Sequence, residues 1–86
     1  MEIFIIQNFG FKTSDKGLNA IMDNNHNIIC WKKYDDANKY IKLNLDENHF
    51  RIVKIDYDFY KNYLEYMSSY HKHKYEIRLI DTVEFN

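Results

Sequence analysis

The chain opens on a strand that is apolar on both sides. Across Glu2–Gln7, Ile3 and Ile5 alternate with Phe4 and Ile6, so neither face is polar. That pattern predicts a central strand. "NFGFKTSDKG" (Asn8–Gly17) holds both glycines with Ser and Asp and reads as a loop. "LNAIMD" (Leu18–Asp23) and "NIICW" (Asn27–Trp31) flank "NNHN", whose asparagines tolerate the left-handed backbone of a tight turn, and together they predict a β-hairpin.

After Trp31 the period changes from two to 3.6. Asp35 is placed to cap a helix, Asp36 to occupy its first turn, and Ala37, Tyr40 and Ile41 share a face up to an end near Asn44. "FRIVKID" (Phe50–Asp56) reads as a strand again. A tyrosine-rich helix follows, and then a long strand, "YEIRLIDTVEF" (Tyr75–Phe85). There Tyr75, Ile77, Leu79, Val83 and Phe85 oppose Glu76, Arg78, Ile80, Thr82 and Glu84. Asp81 interrupts the apolar side. A carboxylate facing inward is costly unless paired, so a bulge or a strand end at this point is the favoured reading.

The order is β-β-β-α-β-α-β in one domain over residues 1–86, without proline or a linker. Short connections around the helices predict right-handed crossovers. The charged side of the last strand implies that one face of the sheet meets water. The expectation is an α+β two-layer sandwich, a mixed five-stranded sheet with two helices on one face.

The helical segment "DYDFYKNYLEYMSSYHKHKY" holds six of the eight tyrosines. At 100° per residue, Phe59, Tyr60, Tyr63, Leu64, Tyr66, Met67 and Tyr70 span an arc of about 160°. Tyr63 and Met67 lie at its centre and Leu64 and Tyr66 at its margins. Tyr63 and Met67 are therefore predicted to be buried, with Lys61, Glu65 and Ser68 in water. The stripe reads as core whose edge is open to contact. Base stacking would need interleaved Lys or Arg, which this helix lacks.

Composition narrows the classes. The net charge of −1 gives no field for nucleic acid, and it is not acidic enough to imitate one. No segment has the length and apolarity of a signal peptide or a membrane span. The single cysteine, Cys30, fits a reducing compartment, and a cytoplasmic protein is expected. Asn, Lys, Ile and Tyr supply 39 of the 86 residues, whereas Ala, Gly, Pro and Arg supply six. That bias implies an AT-rich gene of the kind common in phages and mobile elements.

Chemistry is sparse. His71 and His73, with Cys30, His26 or His49, form the best metal combination, but no ligand spacing supports it. Cationic residues at a helix end are the simpler reading. Cys30 lies in an apolar strand and reads as a structural thiol. Asp35/Asp36 and Asp46/Glu47 read as a helix start and a turn. With neither a phosphate loop nor a nucleophile elbow, no enzyme, metal or cofactor is expected.

Binding is what is left. Trp31, Lys32, Lys33, Tyr66 and Tyr70 are the candidate contact residues, the rings as anchors and the lysines as a basic patch that Lys72 and Lys74 would reinforce if close. The expected function is a non-enzymatic protein-binding factor of a phage or mobile element. It would modulate or inhibit a host protein, as an anti-defence or anti-CRISPR-type inhibitor does, by occluding its surface. The alternative is a weak nucleic-acid-binding or regulatory module, and a homodimer is left open.

Overall fold

The computed structural model describes residues 1–9 and 19–81. Six elements follow in order: β1 (Glu2–Asn8), β2 (Asn27–Trp31), α1 (Tyr34–Asn44), β3 (Phe50–Asp56), α2 (Tyr57–His71) and β4 (Glu76–Ile80). Most of the expected loop at Asn8–Gly17, the start of the expected hairpin at Leu18, and Thr82–Phe85 lie outside the described residues.

The fold is α+β with a mixed sheet and two helices. The sheet order is β3-β1-β2-β4, with β1 antiparallel to both neighbours and β2 parallel to β4. β1 is interior, as its two apolar faces predict. Among the described residues the sheet has four strands rather than five. The expected second strand is reduced to isolated bridges, Gln7 with Ala20 and Met22 with Ile28. Its physical reason is a fork. β1 and β2 pair directly only at Phe4–Trp31 and Ile5–Cys30, and the segment wedges in where they diverge. Ile21 N–H donates to Ile6 on one side, and Ile29 N–H donates to Ile21 on the other, each at 3.0 Å. In a regular strand the N–H and C=O of one residue point to the same neighbour, so Ile21, which turns its N–H to β1 and its C=O to β2, interrupts a ladder with either.

Two apolar clusters lie on opposite faces. Ile3, Ile5, Ile28 and Cys30 pack with Tyr60 and Leu64 of α2. Ile6, Ile29, Trp31 and Ile80 pack with Ala37 and Ile41 of α1. Alternate residues of a strand face opposite ways, so the helices sandwich the sheet between them. The expectation of two helices on one face is therefore corrected to three layers. The connection from β2 to β3 runs across the sheet in one direction and that from β3 to β4 runs back. Two crossovers of one handedness travelling in opposite directions must use opposite faces. The charged side of β4 misled the sequence reading. Glu76 and Arg78 are exposed because β4 is an edge strand, whereas α1 packs on β1, β2 and β3.

Local details position the turns. Helix α1 begins one residue before Asp35, with Lys33 as N-cap and no side-chain cap bond. Asp35 and Asp36 instead sit in the first turn, where they complement the helix dipole. The left-handed position at the hairpin tip is taken by His26 (φ 64°) rather than by an asparagine. Asp23 organises this turn. Its Oδ1 accepts N–H bonds from Asn25 and Asn27 at 2.9 and 3.0 Å, and Arg78 of β4 stands 3.7 Å away. The Asn27 N–H, above all, holds the Asp23 carboxyl below the ordinary carboxylate range. Asp81 falls just past the end of β4, exposed and 3.7 Å from Lys32, in keeping with the strand-end reading.

Candidate protein-binding surface

Helix α2 is pinned at both ends. Asp56 is its N-cap, accepting the Phe59 N–H at 3.0 Å, while its other oxygen stands 3.6 Å from the N-terminal ammonium. At the far end Lys72 adopts the left-handed conformation (φ 53°), and the Lys72 and His73 N–H groups both donate to the Ser68 carbonyl. The Ser68 hydroxyl donates to the Leu64 carbonyl at 2.6 Å and accepts the Tyr75 N–H at 2.9 Å, which locks the helix end to the approach of β4.

The buried face of α2 is Tyr60, Leu64 and Met67. Tyr63 is half-buried, so its predicted place at the core centre is corrected, while Met67 is buried as predicted. Lys61 and Glu65 are exposed and Ser68 is half-buried through its turn bonds. The core face is rotated by roughly 45° from the centre of the aromatic arc, counted at 100° per residue. The rotation leaves rings in water: Phe59, Tyr66 and Tyr70 are 66%, 68% and 72% exposed. With Tyr63 they repeat at i, i+4, i+7 and i+11, a seam of heptad spacing beside the core face. Tyr66 and Tyr70 stack with centroids 6.5 Å apart.

The ring surface continues past the helix. His71 lies 5.3 Å from the Tyr70 ring and its Nδ1 is 3.3 Å from the Tyr75 hydroxyl. His73 lies 5.0 Å from Tyr75 and 4.5 Å from His26. His26 and His73 thus meet edge to face, while Cys30, one of the three alternatives for completing the metal combination, is buried in the core. Among the described residues no group of three His, Cys, Asp or Glu side chains is placed to hold a metal. Burial pushes the Cys30 thiol up to about 12, a setting that suppresses the nucleophilic thiolate. Burial likewise raises the Tyr60 hydroxyl.

The five predicted contact residues do not form one surface. Trp31 is 1% exposed and packs against Tyr40 of α1 at 5.1 Å, so it is a core residue and its reading as an anchor is corrected. The reason is topological: β2 lies between β1 and β4, and α1 closes that face. Lys32 and Lys33 are exposed in the connection from β2 to α1, away from Tyr66 and Tyr70 on α2. Lys72 and Lys74 do not reinforce them. Lys74 precedes Glu76, which pairs with Asn27, whereas Lys32 follows Trp31, which pairs with Ile80. Those ends of the parallel pair are separated by about 13 Å at 3.3 Å per residue. Phe59, expected within the apolar arc of α2, is exposed beside Tyr66 and Tyr70, and no spacing in the sequence separates these rings from the buried Tyr60.

A cleft of about 380 Å³ separates α2 from the start of β4. Leu64 and Ile77 contribute apolar surface, and Lys61, Glu65, Lys74 and Glu76 contribute balanced charge. Lys74 and Glu76 pair at 3.0 Å. Comparison with protein family models, with curated proteins and with solved structures finds no match to this chain. No helix among the described residues is long and apolar enough to cross a membrane.

Proposed function

We propose that the chain is a non-enzymatic binding factor that covers part of a host protein with the aromatic seam of α2, and that it is encoded by a phage or mobile element. The observation that carries this reading is the exposure of Phe59, Tyr66 and Tyr70 on a helix whose apolar core face lies elsewhere. Large rings that fold into no core of their own chain are the side chains that anchor protein interfaces, because a partner's pocket removes much apolar area from water at little entropy cost. The near-zero net charge favours such a contact over a phosphate backbone. Modulation or inhibition then follows from occlusion, and an anti-defence role is the specific form proposed.

The test is capture from a nuclease-treated host extract by wild-type chain and by the Tyr66→Ala, Tyr70→Ala double variant. Both positions are exposed, so the variant keeps its fold. A defined polypeptide is expected with wild type, captured at least about tenfold less by the variant. Equal capture by the two proteins refutes the seam as the contact. Binding that vanishes with nuclease, and falls steeply between about 50 and 200 mM salt, replaces this reading with nucleic-acid binding.

A further inference from the structure

We infer that the seam of α2 is self-complementary and pairs with a second copy of this chain, helix against antiparallel helix about a two-fold axis. The inference rests on reading the seam as a contact surface, and it adds what the first occupant is.

The spacing carries the argument. Phe59, Tyr63, Tyr66 and Tyr70 occupy alternating d and a positions of a heptad and are symmetric about the point between Leu64 and Glu65. An antiparallel copy sets Phe59 against Tyr70 and Tyr63 against Tyr66, so every ring meets a ring. Such an isologous contact needs one patch only, repeated on both subunits. Asn62 and Ser69, which flank the seam on its solvent side, are neutral and bring no like charges together.

Charge selects the direction. The start of α2 carries Asp58 and its end carries Lys72, both outside the ion pairs that join Asp56 to the N-terminal ammonium and Lys74 to Glu76. Antiparallel pairing puts acidic ends beside basic ends and opposes the two helix dipoles, whereas parallel pairing puts like ends together. Access is also given by the fold. The cleft against β4 is lined by Tyr57, Lys61, Glu65 and Ser68, so the seam is on the flank of α2 turned away from that strand.

Area sets the strength. Rings of about 150–250 Å² that are each some two-thirds exposed offer roughly 300–500 Å² per copy. A standard stable interface buries about 800 Å² per partner. At less than two thirds of that size the pairing belongs with weak, transient contacts, for which a dissociation constant on the order of 10–100 µM is the expectation tested below. It dissolves at the lower concentrations at which a foreign partner competes for the same rings.

Sedimentation of the purified chain from about 1 to about 500 µM tests the association. A monomer–dimer equilibrium is expected, and Tyr66→Lys is expected to weaken it at least about tenfold by placing a cation near the axis on both copies. Geometry is read by cross-linking. A Phe59→Cys chain mixed with a Tyr70→Cys chain should form a disulfide heterodimer faster than either forms a homodimer. Antiparallel pairing brings 59 to 70 but separates 59 from 59 by about 16 Å, at 1.5 Å rise per residue. A chain that stays monomeric throughout, a dimer untouched by Tyr66→Lys, or preferential 59–59 cross-linking overturns the inference. If a monomeric chain still captures a host protein through Tyr66 and Tyr70, the inference falls while the proposed function stands.

Discussion

Leu64 and Tyr66 are two residues apart on α2 and both lie at the margin of its aromatic arc, yet the fold assigns them opposite work. Leu64 is 1% exposed between the helix and the sheet, against Ile3, Ile5, Ile28 and Cys30. Tyr66 is 68% exposed. Leu64→Ala leaves the helix propensity almost unchanged, so its cost is lost transfer energy plus the cavity left in a core backed by a rigid sheet. That cost is about 3 kcal/mol, within the ~2–5 kcal/mol range of such truncations. Tyr66→Ala loses only its stacking on Tyr70, partly offset by alanine's better helix propensity, and should stay within about 0.5 kcal/mol. Domains of this size are stable by roughly 4–13 kcal/mol, so the first change removes a large share of the total. Urea unfolding followed by circular dichroism, at about 5 µM to keep self-association small, reads both. With a slope near 1 kcal/mol/M, the Leu64→Ala midpoint should drop by about 3 M, or unfold the protein outright if wild type is marginal, and the Tyr66→Ala midpoint should move by about 0.5 M or less. Equal losses at the two positions, or a Leu64→Ala shift below about 1 M, would refute the burial phase and with it the exposed seam.

Two further outcomes follow from the shifted groups. Because burial drives the Cys30 thiol up to about 12, a thiol reagent at pH 8 should label native protein at least about a hundredfold more slowly than urea-unfolded protein, and fast native labelling would place β2 outside the core. The Asp23 carboxyl is depressed by its N–H bonds, so its contribution to stability is present above the ordinary value near ~3.9 and is lost as pH falls through the lower folded value. The Asn25 and Asn27 amide signals should therefore titrate with a midpoint below that of an unfolded aspartate; a midpoint at or above it contradicts the turn described here.

Local pattern carried the element types. Ile3–Ile6 declared β1 interior because a strand apolar on both sides has nowhere else to go, and the change of period after Trp31 and again after Asp56 marked both helices. Pairing depends on what lies beside a strand, which no single segment records. The stretch around Ala20–Met22 has the alternation of a strand, but in the fork between β1 and β2 Ile21 turns its N–H and its C=O to opposite neighbours. Strand order then put the helices on opposite faces, since crossovers that run out and back with one handedness cannot share a face. The same order buried Trp31 and left Glu76 and Arg78 exposed on an edge strand. For α2, composition determined that a broad aromatic arc exists, and the tertiary structure decided which part of it the sheet could cover. Tyrosine is stable on either side of that boundary, with its ring packed and its hydroxyl wet, so the sequence could not distinguish Tyr60 in the core from Tyr66 and Tyr70 in water. Contact with Ile3, Ile5, Ile28 and Cys30 chose the face, and the rings it left over, Phe59, Tyr66 and Tyr70, are exposed.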